Sequence, residues 1–550
     1  MTDPSPTQGD PMIAPDHDAP RAVLDAAHVG DIQGALGTIR VHEAGHRAGT
    51  RARLLALLAI MGPGLIVMVG DNDAGGVSTY AQAGQNYGTS LLWVLLLLIP
   101  VLIVNQEMVV RLGAVTGVGH ARLINERFGR FWGWFSVGDL FLLNFLTIVT
   151  EFIGVSLALG YLGVSKYIAV PLAVLMLVAI TATGSFRKWE RFMYIFVAAN
   201  FLVIPLAILA HPNIGDMIHS TVVPGIRGGA TSNAILLIVA IVGTTVAPWQ
   251  LFFQQSNIID KRITPRWINY ERADTVIGAF VVVIGASALI AVTDFGLAPA
   301  GPGHFANAGA TAHELGHQLG SAAGAMFAIV LLNASLIGAA AVTLSTSYAF
   351  GDVFGLKHSL HRGIRDARRF YAIFTGLVVL AGAIVLIPGA PLGVITTAVQ
   401  ALAGVLLPSA TVFLLLLCND REVLGPWVNR PWLNAIAGVI VSILLVLSII
   451  LVISTLFPSV NVGQLAIVLF AIMTVAVLAA SWWTLYGRGS RPEKPARSEE
   501  ERRSWTMPPL ALLGRPEWSP GRKAGMLALR GYLVIAVLLL VVKAIQLSGG

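Results

Sequence analysis

Three uncharged runs, 91–104, 277–292 and 439–455, restrict this chain more than any other feature. Each sits in an apolar stretch of about 20 residues, the length that crosses the hydrocarbon core of a bilayer. Lipid offers backbone N–H and C=O groups no water, so a lone spanning segment satisfies them internally as an α-helix. A soluble fold would have to bury every such run in one core. The chain is 55% hydrophobic and 12% charged, against about 25% charged in soluble domains. It therefore reads as an all-α polytopic membrane protein. Thirteen spans are expected, near 54–84, 90–110, 131–160, 167–184, 192–210, 232–256, 274–297, 321–350, 370–388, 393–417, 433–456, 463–486 and 527–546.

Basic residues orient these spans. Loops after even-numbered spans carry Arg111, Arg122, Arg127, Arg130, Arg187, Lys188, Arg191, Lys261, Arg262, Arg266, Arg272, Lys357, Arg362, Arg365, Arg368, Arg369, Arg421 and Arg430. Loops after odd spans, up to the eleventh, carry Lys166 and Arg227, a ratio of 18 to 2. The positive-inside rule then places the even loops and the N-terminus in the cytoplasm of a multi-pass protein of the cell inner membrane. The same asymmetry accounts for the net charge of +7, so no nucleic-acid partner is expected. Residues 1–50 read as a disordered cytoplasmic tail without a cleavable signal. Residues 51–487 read as a twelve-helix core, 488–526 as a basic cytoplasmic linker and 527–550 as an additional membrane helix. The single cysteine, Cys418, makes no internal disulfide.

Two spans are interrupted at mid-depth. The first contains Gly62-Pro63-Gly64 and then Asp71-Asn72-Asp73-Ala74-Gly75-Gly76. The sixth contains Gly243-Thr244-Thr245-Val246-Ala247-Pro248-Trp249-Gln250. Glycine loosens a helix and proline removes an amide donor from it. Freed backbone at membrane depth is tolerated only where it lines a cavity or is buried in protein. Breaks five spans apart point to an inverted-repeat transporter with its site between them. Bare kinks would give the same backbone pattern, but these coincide with membrane-embedded carboxylates.

Asp71 and Asp73 each cost several kcal/mol at that depth and are functional candidates for that reason. A cation is their natural partner. Asn72 and carbonyls freed near Gly75, Gly76, Thr244 and Ala247 add oxygen. Such ligands suit hard cations, Mg²⁺, Ca²⁺ or Mn²⁺. Neither segment holds a cysteine, and Met68 is the only sulfur nearby.

The segment GPGLIVMVGDNDAGGVSTYAQAGQNYG (62–88) resembles the first span of the NRAMP family of divalent metal transporters, with its GPG, Asp-Pro-Gly-Asn and Gln-Ala-Gly signatures. IVGTTVAPWQLFFQQS (241–256) looks like the family's sixth span, which carries Met-Pro-His. Agreement extends to 111–117, to Thr150-Glu151-Phe152-Ile153-Gly154 and to NDREVLGPWVNRPWLN (419–434), so the resemblance covers about 54–485. It implies two inverted five-helix repeats, as in the amino-acid/polyamine/organocation transporters, with broken helices 1 and 6. Carried over residue by residue, it places the metal-binding Asp at Asp73, the Asn at Gly76, the carbonyl ligand at Thr244 and the Met at Ala247. The two sixth-span histidines fall on Trp249 and Gln254. The third-span Asp falls on Ile148, while its Glu is kept as Glu151 and the tenth-span Gln as Gln400. Loss of the thioether and gain of Asp71 resemble the NRAMP-related magnesium branch, since a thioether offers Mg²⁺ nothing. In that reading Asp71 contributes charge or an outer-shell contact, and Gln250 belongs to the same pocket.

His313-Glu314-Leu315-Gly316-His317 matches the H-E-x-x-H zinc-protease pattern. It lies in a loop too short for a catalytic domain, so an enzyme is not expected. Glu107, Asp139, Asp294 and Asp352 sit near span ends and read as structural charges, Glu107 pairing with Arg111 at i+4. The expected function is alternating-access transport of Mg²⁺ and Mn²⁺ across the lipid bilayer, the metal being cargo and no cofactor being required. Trp249, Gln254 and Ile148 do not titrate, so proton coupling is not expected. A proton-coupled Mn²⁺/Fe²⁺ carrier and an organic-solute carrier of the same fold stand as alternatives.

Overall fold

The computed structural model describes residues 25–41, 49–297, 305–390, 392–457, 459–486 and 499–514, with a few further positions between 526 and 534. A hairpin of β1 (Ile32–Gly34) and β2 (Gly37–Ile39), in register Ile32 to Ile39, precedes α1 (Thr50–Ile60). The first expected span is divided further than glycine spacing suggested. α2 (Pro63–Gly70) is bent 52° away from α1 at Gly62, whose φ of +150° disfavours other residues, and α3 (Ala74–Tyr87) follows after a gap at 71–73. Gly88, at φ +58°, turns the chain into α4 (Leu92–Thr116).

The remaining helices are α5 (His120–Phe128), α6 (Arg130–Tyr161), α7 (Lys166–Thr181), α8 (Phe186–Asn200), α9 (Val203–Leu209), α10 (Ile214–Val222), α11 (Ser232–Thr245), α12 (Pro248–Asp260) and α13 (Ile268–Phe295). Then come α14 (Ala308–Gln318), α15 (Ser321–Phe354), α16 (Arg368–Leu386), α17 (Leu392–Cys418), α18 (Arg421–Leu424), α19 (Pro431–Leu456), α20 (Val462–Tyr486) and α21 (Glu499–Ser504). Among the described residues, nine helical runs are long and apolar enough to cross a membrane, ten with the bent α1–α2 pair, and two shorter apolar helices accompany them. The expected span at 527–546 lies almost wholly outside the described residues. At the centre, α13 packs on α2, α3 and α4, and α15 packs on α6 and α12.

The arginine-rich loops gather on one face, as their parity required. Arg127 bridges α5 to Asp420, and Arg122 reaches the carbonyl of Asp352. Arg262 donates to the carbonyls of Ala27 (2.9 Å) and Asp31 (3.2 Å), and Arg362 holds Asp25. The linker joins this face too: Trp427 Nε1 donates to the carbonyl of Arg502 at 2.9 Å, and the Met507 amide donates to the carbonyl of Val115 at 3.2 Å. On the opposite face, Arg227 pairs with Asp294 at 3.2 Å and Gln85 donates to Glu314 at 3.0 Å.

Residues 25–41 fall in the stretch expected to be a disordered tail, yet they form a docked structure. The Ala35 amide donates to Glu190 Oε2 at 2.5 Å, and Arg191 donates to the Ala35 carbonyl at 3.1 Å. Gly37 lies close enough to Ala59 that a Cβ there would meet the alanine methyl at 2.9 Å, so the hairpin seats against α1. Burial opposes ionisation of Asp25, but its hydrogen bonds from Arg362 and the Ala27 amide outweigh that and hold its carboxyl down at about 2. The partners Glu190, Arg191 and Arg362 lie 155 to 337 residues away in sequence, beyond the reach of local pattern.

Candidate functional site

The break between α2 and α3 arises because Asp73 caps α3. Its backbone is extended there (φ −67°, ψ −174°) and its Oδ1 accepts the Gly76 amide at 2.8 Å, satisfying one of the helix's orphan donors. A Cβ at Gly76 would lie 2.8 Å from the Asp71 carbonyl oxygen, so this turn requires glycine. Position 76 therefore serves the site through its N–H, which orients Asp73, rather than as a ligand.

The break between α11 and α12 follows from Pro248. Without an N–H, it cannot pair the carbonyl of Thr244 four residues earlier. Val246 (φ −126°, ψ 80°) and Ala247 (φ −93°, ψ 145°) leave the helix there. The Thr245 carbonyl is taken by Gln250 Nε2 at 3.2 Å. Tyr80 and Thr245 share a hydrogen bond of 2.7 Å that ties the two broken helices together.

Asp73, Thr244, Ala247 and Trp249 line one cavity of about 40 Å³, with Gly75, Gly243 and the hydroxyl-bearing Thr147, Thr150 and Thr396. The metal donors named in that wall are oxygens, and among the described residues no sulfur lines it. A volume of 40 Å³ is room for about three waters. Gly75, Thr150 and Thr396 also line a second cavity of about 340 Å³ that reaches Phe305–Ala308 on the face opposite the arginines. The small cavity thus adjoins the larger one through these three residues. On its other side Trp249, 1% exposed, lies against Gly70 and Phe253.

Glu151 adjoins the cavity without lining it. Its Oε2 accepts the Ala74 amide at 3.1 Å, and its carboxyl lies with Asp73 against Gly338. Gly338 of α15 makes room for the pair, since a Cβ there would meet Glu151 Cδ at 2.7 Å. Asp71 lies outside the cavity wall, fully buried, with Oδ1 accepting from Gln250. Gln250 is in turn held by Gln106 Nε2 at 3.1 Å, and Gln254 donates to Thr275 at 3.0 Å. Asn72 points away and donates to the Val282 carbonyl at 3.1 Å. Gln400 is on α17, and its side chain lies outside the described residues.

Of the expected site, the structure brings together Asp73, Thr244, Ala247 and Trp249, with Glu151 behind them. Asp71, Asn72, Gln250 and Gln254 sit in the packing around the break. Sequence reasoning passed over Thr147 and Thr150, although both precede Glu151 on one turn of α6. Intramembrane hydroxyls commonly bond their own helix, as both do here to Leu143 and Thr147 carbonyls.

Among the described residues no group of three His, Cys, Asp or Glu side chains is placed to hold a metal. His313 of α14 packs on the Tyr161 ring, and Glu314 is bonded to Gln85. Glu107 pairs with Arg111 at 2.9 Å, as its spacing required.

A family model, Natural resistance-associated macrophage protein-like, matches residues 64–454. A divalent metal cation transporter MntH of Staphylococcus aureus (strain Mu3) is 27% identical over 447 residues, spanning 74% of this chain and 93% of its own; that of strain JH9 is 26% identical over the same shares. Among solved structures, the Eremococcus coleocola manganese transporter, in complex with an aromatic bis-isothiourea substituted compound, superposes with a TM-score of 0.64 at 21% identity, covering 80% of this chain and 97% of that one. A mutant of that transporter gives 0.64 at 20% identity, covering 82% and 97%.

Proposed function

This chain belongs to the Nramp family, and from that premise we propose that it carries divalent cations across the membrane by alternating access, Mg²⁺ as well as Mn²⁺. The two relatives described above are called a divalent metal cation transporter and a manganese transporter. The observation that carries the wider selectivity is the donor set of the 40 Å³ cavity: one carboxylate, Asp73, among hydroxyls and freed carbonyls, with Ala247 where the resemblance puts a thioether. Mg²⁺ keeps several waters and takes one or two carboxylates. A small cavity with oxygen donors, beside a 340 Å³ vestibule that shares three of its lining residues, suits such an ion.

The basic face is assigned to the cytoplasm by its excess of arginine, so in this reading the vestibule faces outward. Thiol labelling in intact cells at two exposed positions tests this: 306 should react and 365 should not.

Transport runs without stoichiometric proton movement in this reading. A cation arriving at Asp73 displaces any proton that Asp73 or its neighbour Glu151 holds. Trp249, Gln254 and Ile148 offer that proton no relay toward the basic face, so it leaves through the vestibule. A membrane potential of ~100 mV gives a divalent cation about 4.6 kcal/mol of drive without protons. The burial of Glu151 directly behind Asp73 also favours a second reading, in which Glu151 keeps the proton and carries it inward. Proteoliposome uptake across Mg²⁺, Mn²⁺, Ca²⁺ and amino acids, with a trapped pH dye, separates them. Mg²⁺ and Mn²⁺ uptake with a silent dye is expected. Metal-dependent acidification lost in Glu151→Gln supports the second reading, and absence of Mg²⁺ uptake at millimolar concentration removes the hydrated-ion reading.

A further inference from the structure

A third cavity, of about 350 Å³, opens on the basic face, where α4, α13, the start of α19 and the linker helix α21 meet. Four arginines line it, Arg111, Arg272, Arg430 and Arg502, and among the described lining residues one acid, Glu107. Glu107 is shared by two of them, at 2.9 Å from Arg111 and 2.5 Å from Arg272, and Arg272 also donates to Asn269 Oδ1 at 3.1 Å. The guanidinium of Arg111 is used up structurally, on the Trp427 carbonyl and Asn429, both at 2.6 Å. Arg502 is positioned by stacking on the Trp427 ring at 4.1 Å, and Arg430, exposed, is the N-cap of the 26-residue helix α19. The first-turn amides of α19 lack helical acceptors and present a partial positive charge at the same place.

The wall of this cavity is apolar where it meets the membrane. Trp432 (57% exposed), Ile436 (41%) and Val439 (37%) follow one another along one side of α19, from the arginines toward the middle of the span. An aromatic at the rim and an aliphatic track beyond it match the interface and acyl regions of a bilayer leaflet. Net positive charge, a helix N-terminus and an apolar track together describe a ligand with a phosphate head and hydrocarbon chains.

We propose that this cavity binds the headgroup of one anionic phospholipid of the inner leaflet, its phosphate against Arg430 and Arg502 and its chains along Trp432, Ile436 and Val439. Basic pockets between membrane helices on the cytoplasmic side take such headgroups. Because Arg502 belongs to α21, the lipid also fastens the linker to the bundle. The site is remote from Asp73 and does not depend on the metal carried.

Native mass spectrometry of the full-length chain in micelles containing equal phosphatidylglycerol and phosphatidylcholine tests this. One retained phosphatidylglycerol per chain is expected. Arg430→Gln should lower its occupancy about fivefold, as about 1 kcal/mol per basic side chain at an anionic surface implies. Adding Arg502→Gln should lower it further, and Arg430→Lys should restore most of it. A thermal shift on adding phosphatidylglycerol, absent with phosphatidylcholine, should shrink in the same order. Equal retention of both lipids, unchanged occupancy in the double variant, or the same thermal shift from millimolar inorganic phosphate alone would each overturn the lipid assignment.

Discussion

The two halves of the molecule, above and below Asp73, are built from different chemistry. Above, the path to the opposite face is wide and lined by small residues and hydroxyls, among them Gly75, Ser78, Thr150 and Thr396. Below, α2 is clamped by charge. Lys261, wholly buried, donates to the carbonyls of Ile60 and Met61, both at 2.7 Å, and to Glu190 at 2.6 Å. Asp274 accepts the amides of Gly62 (3.0 Å), Gly64 (2.7 Å) and Leu65 (3.2 Å), and Tyr194 donates to the Met61 carbonyl at 2.8 Å. The hairpin then covers Glu190 from outside. α2 is an eight-residue rod between the bend at Gly62 and the gap at 71–73, and under the alternating access proposed above it would leave Asp274, and the bend before it would leave Lys261, to open the basic face. Hinges at such element ends are how alternating carriers exchange access.

The largest effect expected is at the boundary between the halves. Asp73→Ala removes the only carboxylate among the residues lining the cavity and should abolish Mg²⁺ and Mn²⁺ uptake, whereas Asp71→Asn, one layer below, should weaken it less. Normal uptake by Asp73→Ala would erase the distinction drawn here between the two aspartates.

Next is the clamp. Lys261→Met leaves Glu190 buried without its partner, a change worth about 3–5 kcal/mol when one member of a buried pair is lost. It should lower the unfolding temperature and raise thiol reactivity of positions in α2 from the basic face. Adding Glu190→Gln should recover part of both. If neither variant changes reactivity, the clamp is packing alone.

Selectivity should move by less. Ala247→Met places a thioether in the 40 Å³ cavity and should shift the Mg²⁺ to Mn²⁺ uptake ratio toward Mn²⁺ by about 1–3 kcal/mol. Gly76→Asn does not restore a ligand; with its Cβ 2.8 Å from the Asp71 carbonyl, it should distort the turn and depress transport of both ions.

The smallest effect concerns the hairpin. Burial pushes the His28 imidazole down, against the charges of Asp260 (3.6 Å), Asp25 and Asp352, and with His358 opposing it further. A histidine held below its ordinary value of about 6.5 binds fewer protons docked than free. Docking is therefore complete above that pH and weakens as pH falls through it. Proteolysis within 25–41 should accelerate between pH 7 and pH 5, and His28→Gln should flatten the change.

The upper half was more legible in sequence than the lower. Aspartate at mid-span, a proline in the sixth span and the parity of arginines are local or compositional signals, and they led to Asp73, Thr244, Ala247 and the shared basic face. The clamp escaped because Lys261 read as one more basic loop residue and Glu190 gave no signal of its own until the fold sets them 2.6 Å apart. The hairpin escaped because its strands are three residues each and draw their stability from contacts far along the chain. Gly76 was read as a missing side chain, when its service is a backbone amide.

A cation held at Asp73 would sit beside Thr150, which lines both the small cavity and its vestibule. In a Cys418→Ser background, the rate at which a membrane-impermeant thiol reagent modifies Thr150→Cys from the outer face measures this directly. Mg²⁺ and Mn²⁺ should each slow the modification, and both effects should vanish when Asp73→Ala is added. Modification that ignores both cations, or protection that survives the loss of Asp73, would contradict a cation site at Asp73.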